Sequence, residues 1–196
     1  ENKKWTLMEG IFQPIDSEEK VEKETLRTIM YTGGVFHRRG VDILLDAFER
    51  IDKPNYRLWI RGNGDMVPEI KERAKKDSRI IYFDPMSREE LLEMERRATI
   101  MINPTPASLD FTKYFFPSKT MEYLASGTPT VMYRLDCMPK EYDEYVYYVD
   151  NESIETLRDK LIEICEKPQE ELDSFGRAAR EFILTKKTPS IQCGKI

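Results

Sequence analysis

Six short runs of β-branched and aromatic residues alternate with helix-periodic segments along this 196-residue chain, and that alternation leaves few folds open. The first run, residues 28–32, stops at Gly33-Gly34. Behind it Val41, Leu44, Leu45 and Phe48 recur at the i, i+3, i+4, i+7 spacing, which predicts an amphipathic helix over 40–50. Residues 56–60 form the second strand, closed by Arg61-Gly62-Asn63-Gly64-Asp65, and a helix follows over about 67–75. A third strand is predicted at 79–83, with a break at Asp84-Pro85. Ser87 and Glu90 make an S-x-x-E capping box ahead of Leu91, Leu92 and Met94, so a helix starts there and ends near Ala98. Strands at 99–103, 130–133 and 145–149 complete the set. Two closing helices, 154–166 and 169–184, are parted by Pro168.

Such alternation predicts an α/β fold: a Rossmann-like, doubly wound parallel sheet of about six strands with helices on both faces. Ligands in these sheets bind outside the carboxyl ends of the strands. The loops at that rim are 33–39, 62–65, 84–86, 104–116 and 133–140. The longest, 105–116, carries prolines and aromatics, the kind of loop that bears function on a rigid scaffold.

The stretch FPSKTMEYLASGTPTV, residues 116–131, borders the same rim. Pro117 and Ser118 read as a helix start, and Gly127 with Pro129 as its stop. Lys119 and Glu122 then fall in the first two turns, where exposed backbone N–H groups and the helix dipole favour an anion. A lysine and a carboxylate beside such a helix start suit a molecule carrying both phosphate and sugar hydroxyls. Taken alone, an ordinary capped helix on a sheet would read the same way.

Gly33-Gly34 after a strand lets backbone approach a ligand closely. It is not a GxGxxG fingerprint, which disfavours a nicotinamide dehydrogenase, and no P-loop is present. Arg38 and Arg39 lie where they could add charge for a diphosphate at the next helix start. His37, the one histidine, and Asp110 are loop residues that solvation alone would explain. Phe111, Tyr114, Phe115 and Phe116 offer a base or sugar platform, or simply packing.

The totals exclude other classes. A net charge of −5 argues against nucleic acid as the main partner. Cys137, Cys165 and Cys193 are widely spaced and odd in number, which fits no disulfide framework or zinc site and points to a reducing, cytoplasmic setting. No apolar run approaches a membrane span, and the mixed opening residues do not read as a signal peptide. The chain opens on Glu1 rather than Met, and a piece of a longer protein is expected.

Read in order, YTGG, RGVDILLDAF, LWIRGNGD, SREELLEMERRATIMINP and above all FPSKTMEYLASGTPTV resemble the C-terminal, donor-binding half of a retaining GT-B glycosyltransferase of the glycosyl transferases group 1 family. The resemblance covers most of residues 29–184. It implies a nucleoside-diphosphate sugar as substrate, transfer to a glycan or lipid-linked acceptor, and no metal or other cofactor. It implies that Glu122 holds the ribose hydroxyls, that Gly33, Gly34 and Arg39 contact the diphosphate, and that Ser118 and Lys119 stand beside it. Gly62 matches a glycine turn and Met86 a segment that frames the base, while Asp110 is a further sugar candidate. The catalytic residues are not assigned.

Two departures from the family pattern stand out. Many relatives carry a second glutamate eight positions before the first, where this chain has Tyr114, and an arginine where it has Gly34. The resemblance also implies a partner half: residues 1–24 as an interdomain connector, 25–185 as the nucleotide-sugar domain, and 186–196 as a polar tail. The N-terminal acceptor domain, and any membrane contact, would belong to the rest of a longer protein, leaving this half inactive alone. A nucleotide-sugar epimerase and a non-catalytic binding or scaffold module are the alternatives.

Overall fold

Strand formation follows the apolar runs closely. In a computed structural model that describes residues 10–13 and 21–194, six strands form: β1 (Arg27–Thr32), β2 (Tyr56–Arg61), β3 (Ile80–Phe83), β4 (Ile100–Asn103), β5 (Thr130–Tyr133) and β6 (Tyr147–Val149). They lie in the order β3-β2-β1-β4-β5-β6, and every neighbouring pair is parallel. The inner strands β4 and β5 are buried along their whole length, as expected where helices cover both faces of a sheet.

The period of two along the strands sorts side chains onto two cores. Ile29, Tyr31, Leu58, Ile60, Ile100 and Ile102 enter the larger core, and Met30, Trp59 and Met101 the smaller one opposite. Helices α1 (Val41–Glu49) and α2 (Val67–Lys76) contribute to the larger core through residues such as Leu44, Phe48 and Ile70. Helix α3 (Arg88–Arg97) packs Leu91 and Met94 on the smaller one. Helix α4 (Ser118–Ser126) serves both, with Tyr123 in the smaller core and Leu124 in the larger. Helices α5 (Ile154–Cys165) and α6 (Gln169–Lys186) complete the larger layer through Leu157, Leu161 and Ile183.

Local signals set the boundaries. Both halves of the Ser87–Glu90 capping box are formed at α3, and Ser153 caps α5 by accepting from the Thr156 N–H. Gly127 closes α4 in the left-handed conformation, with φ 78°.

The sequence reading differs from the fold at the C-terminal side. The last strand begins at Tyr147 rather than Tyr145, because Lys140–Tyr145 forms a 3-10 turn. That turn buries Tyr142 against Phe116 and Phe182, and Tyr145 stacks on Phe182 with ring centres 4.4 Å apart. Beyond α6 the expected polar tail contains a short helix, α7 (Pro189–Cys193), with Gln192 buried. The Lys187 ammonium is also buried, 2.6 Å from Glu141 Oε1 and over the Tyr142 and Phe182 rings.

Most of the expected connector, residues 1–9 and 14–20, lies outside the described residues. Its end is docked: Lys23 Nζ donates to Ala98 O (2.9 Å) and Thr128 Oγ1 (3.0 Å), and the Glu24 N–H donates to Arg97 O. The Phe12 N–H donates to Lys187 O. Among the described residues no helix is long and apolar enough to cross a membrane.

Candidate functional site: a cationic crevice at the strand switch point

The strand order reverses at β1. The chain moves outward from β1 to β2 and β3, then returns to place β4 on the other side of β1. Loops leaving β1 and β4 therefore part in opposite directions, and a crevice opens at their carboxyl ends. The pairing of β1 with β4 runs only through Ile29–Ile100 and Met30–Met101. Above it lies a cavity of about 130 Å³ lined by Tyr31, Thr32, Gly33, Gly34, Phe36, Arg39, Asn103, Thr105, Phe115, Pro117, Ser118, Lys119 and Tyr123.

One wall is the start of α4. Pro117 takes the cap position and Ser118 is the first helical residue, with no side chain capping the helix. The first-turn N–H groups that an α-helix leaves over thus have no side-chain acceptor, and no acidic residue stands among them. Lys119 lines the crevice and its ammonium meets Glu122 Oε2 at 2.5 Å. The two sit three residues apart on the same face of α4, and each side chain keeps about a third of its surface exposed (37% and 35%). Glu122 is half-buried; it does not itself line the cavity and is joined to it by the Lys119 ammonium.

The opposite wall is the loop after β1. Arg39 is half-buried, forms no ion pair among the described residues, and lies over two rings, 5.5 Å from Phe111 and 5.2 Å from Phe115. A cation stacked on aromatic faces is positioned without being neutralised. Tyr31 Oη donates to Gly34 O at 2.6 Å and fixes the diglycine turn, and burial raises its pKa well above the usual phenol range. Gly40 holds φ 71° where a Cβ would come within 2.0 Å of Pro104 O, so the start of α1 closes directly on the exit of β4. The charged residues lining the crevice are Arg39 and Lys119, both cations.

Of the residues singled out from sequence, Gly33, Gly34, Arg39, Ser118 and Lys119 line one cavity, and Glu122 meets it only through its pair with Lys119. Gly62 does not line it. It sits beneath the diglycine loop with φ 158°, where a Cβ would meet Gly33 O at 1.6 Å. Met86 is half-buried after β3 and also away from the cavity lining. The Asp110 side chain is 96% exposed and pairs with Lys113 at 3.0 Å, again outside the lining. His37 Nδ1 lies 3.3 Å from Asp42 Oδ2 at the surface.

Sequence reasoning passed over Tyr31, Thr32, Asn103, Thr105 and Tyr123. The Tyr123 phenol accepts from the Thr32 N–H at 3.0 Å and donates to Thr32 O. Asn103 Oδ1 accepts from both the Thr105 N–H and hydroxyl. For four of them the signal was positional: Tyr31, Thr32, Asn103 and Thr105 lie at or within two residues of the carboxyl end of β1 or β4, whereas Tyr123 follows Glu122 within α4. Among the described residues no group of three or more His, Cys, Asp or Glu side chains is arranged to hold a metal ion.

A parallel sheet of this order, with a crevice at its switch point, defines a Rossmann-like domain of the kind that makes up half of a GT-B fold. Residues 12–182 match the family described as glycosyl transferases group 1, and the chain belongs to that family. No curated protein sequence matches it. Among solved structures it is similar to S. aureus TarM, with a TM-score of 0.74 at 14% identity over 94% of this chain and 36% of that one. It is also similar to the C-terminal domain of the glycosyl transferase group 1 family protein LpcC from Francisella tularensis (TM-score 0.65, 16% identity, 94% of this chain and 100% of that domain). A third is sucrose-phosphate synthase from Thermosynechococcus elongatus (TM-score 0.70, 17% identity, 87% and 44%). The chain thus spans little more than a third of TarM, and likeness at these identities speaks for the fold.

Proposed function

We propose that this chain is the donor-binding half of a glycosyltransferase that takes a nucleoside-diphosphate sugar and passes the sugar, with retention, to a glycan or lipid-linked acceptor. The observation that carries this reading is the half-buried Arg39, in no ion pair among the described residues, facing the uncapped start of α4 across one crevice. Cation and helix start together provide for a diphosphate. Gly33 and Gly34 let the backbone come close to it. Arg39, Lys119 and the first N–H groups of α4 would stabilise charge building on the leaving nucleoside diphosphate.

In this reading Glu122 accepts from the ribose hydroxyls, releasing Lys119 toward the phosphates. Two adjacent hydroxyls match the two oxygens of one carboxylate. Gly62 acts by holding the diglycine loop, and Met86 and Asp110 are reached by the base or sugar only once the donor extends beyond the present crevice. The cavity of about 130 Å³ falls short of the roughly 300–1,000 Å³ of complete ligand sites, which supports a cleft completed by an N-terminal acceptor domain. Uridine diphosphate is the first nucleotide to test, because the structures of TarM and pneumococcal GtfA similar to this fold were obtained with UDP. A cytoplasmic setting belongs to the same reading and rests on the three free thiols.

Calorimetric titration with UDP, GDP and inorganic pyrophosphate, repeated on Glu122→Ala, tests the assignment. The expected result is nucleotide binding that falls at least about tenfold in the variant while pyrophosphate affinity holds or rises, since Lys119 loses its carboxylate partner; the nucleotide loss matches charge-assisted hydrogen bonds to ribose. No binding of either nucleotide would instead favour a non-catalytic module, the reading that the 90% exposed Tyr114, in place of the family's second glutamate, keeps open.

A further inference from the structure

Beneath the crevice lies a carboxyl group that the donor site does not use. Glu95 on α3 is fully buried. Its Oε1 accepts from Thr32 Oγ1 at 3.0 Å, while its Oε2 is buried with no hydrogen-bond partner among the described residues. Its main-chain carbonyl accepts from Thr128 Oγ1 at 2.7 Å, which pins this turn of α3 to the end of α4. A buried carboxylate with an unsatisfied oxygen is costly, and a proton on it removes most of that cost.

The charged and titratable groups around it come from each neighbouring element. Arg88 lies on its own helix, Lys119 and Glu122 on α4, and Tyr123 reaches it beside Thr32. Tyr31 on β1 influences Tyr123 in turn, and Lys23 holds Thr128 from the other side. Burial pushes the Glu95 carboxyl up to about 7, with Lys119 the largest opposing influence. Lys119 therefore faces Glu122 by direct contact, Glu95 through space, and whatever anion enters the crevice it lines.

We infer that Glu95 is a positioning residue for this crevice, acting through Thr32 and Lys119, and that proton uptake at its carboxyl is coupled to anion binding above it. The inference rests on the crevice being a diphosphate site. With Glu95 ionised, a negative charge lies under the anion and holds part of the Lys119 field inward. With Glu95 protonated, that field is available to the ligand, and Thr32 keeps a hydrogen-bonding neighbour. The coupling is reciprocal: a bound diphosphate raises the proton affinity of Glu95 by the same factor.

Calorimetry with UDP at pH 6 and pH 8, on the chain and on Glu95→Gln, provides the test. Glutamine keeps the shape and the acceptor for Thr32 but cannot ionise. The phosphate's own titration is common to both proteins, so the difference between them isolates Glu95. Affinity in the chain should fall about fivefold more between pH 6 and 8 than in the variant, the scale of one charge acting through a partly screened interior. UDP binding with the same pH ratio in both proteins overturns the inference and leaves the donor site standing. UDP binding to neither protein overturns both. Should Glu95→Gln fail to fold, the Thr32 amide resonance in the unsubstituted chain decides. A shift with its midpoint near pH 7 that moves upward on adding UDP supports the coupling, and an amide flat across that range overturns it.

Discussion

Tyr123 grips Thr32 by both of its backbone polar groups. The phenol oxygen accepts from the Thr32 N–H at 3.0 Å and donates to the Thr32 carbonyl. Pairing between β1 and β4 has already ended at Met30, so a helix side chain supplies there the hydrogen bonds that a neighbouring strand would otherwise make. The crevice exists because β4 turns away, and its floor is stable because Tyr123 replaces it.

Tyr123→Phe removes that replacement and leaves two buried main-chain groups unpaired. Chemical denaturation should show a loss of about 1–3 kcal/mol, with nucleotide affinity weakened in parallel. A variant as stable as the parent would show that water or a shift of β1 takes over the role.

Arg39 depends on its aromatic bed. Phe111→Leu and Phe115→Leu keep the loop apolar but remove the ring faces under the guanidinium, a contact worth about 0.5–1 kcal/mol at a site of this exposure. Each should weaken UDP binding about two- to fivefold without changing the enthalpy of unfolding. Arg39→Ala should weaken it at least about tenfold and reduce the dependence of binding on salt.

Gly62 supports the diglycine loop from below. Its φ of 158° and the 1.6 Å approach of a Cβ to Gly33 O leave no room for any side chain. Gly62→Ala should cost about 1–3 kcal/mol or more in stability and move the Gly33 and Gly34 amide resonances, read by denaturation and NMR.

Glu95 makes stability depend on pH in the sense opposite to a salt-bridged acid. Its carboxyl titrates at about 7 in the fold against an ordinary 4.5. The contribution is greatest below the ordinary value and is lost as pH rises through about 7, by at most about 3 kcal/mol. Comparing unfolding of the chain with Glu95→Gln between pH 4.5 and 8 should show the gap shifting in favour of the variant as pH rises. A gap independent of pH would place the Glu95 carboxyl in ordinary surroundings.

Much of this architecture is legible in the chain itself. The 130–133 strand and the Ser87–Glu90 cap stand where their residues predict, because β-branching and capping chemistry act over a few neighbours. The gathering of Gly33, Arg39 and Lys119 is legible as well, since a doubly wound sheet brings its strand-end loops to one rim. What could not be read is what only packing decides. Glu95 sits in the charged run MERR and looks solvated, yet the fold turns that face inward onto Thr32. Tyr123 looks like one more apolar helix position, since nothing local says that the pairing of β1 with β4 ends before Thr32. The phenylalanines of the 105–116 loop read equally as a base or sugar platform or as packing, and nothing local says that Phe111 and Phe115 lie under Arg39.

The most direct test of the donor-site account is a crystal structure of the chain soaked with UDP. The account predicts the diphosphate against the start of α4 within reach of Arg39, and the ribose hydroxyls on Glu122. A nucleotide bound elsewhere, or one whose ribose leaves the Lys119–Glu122 pair untouched, would contradict it.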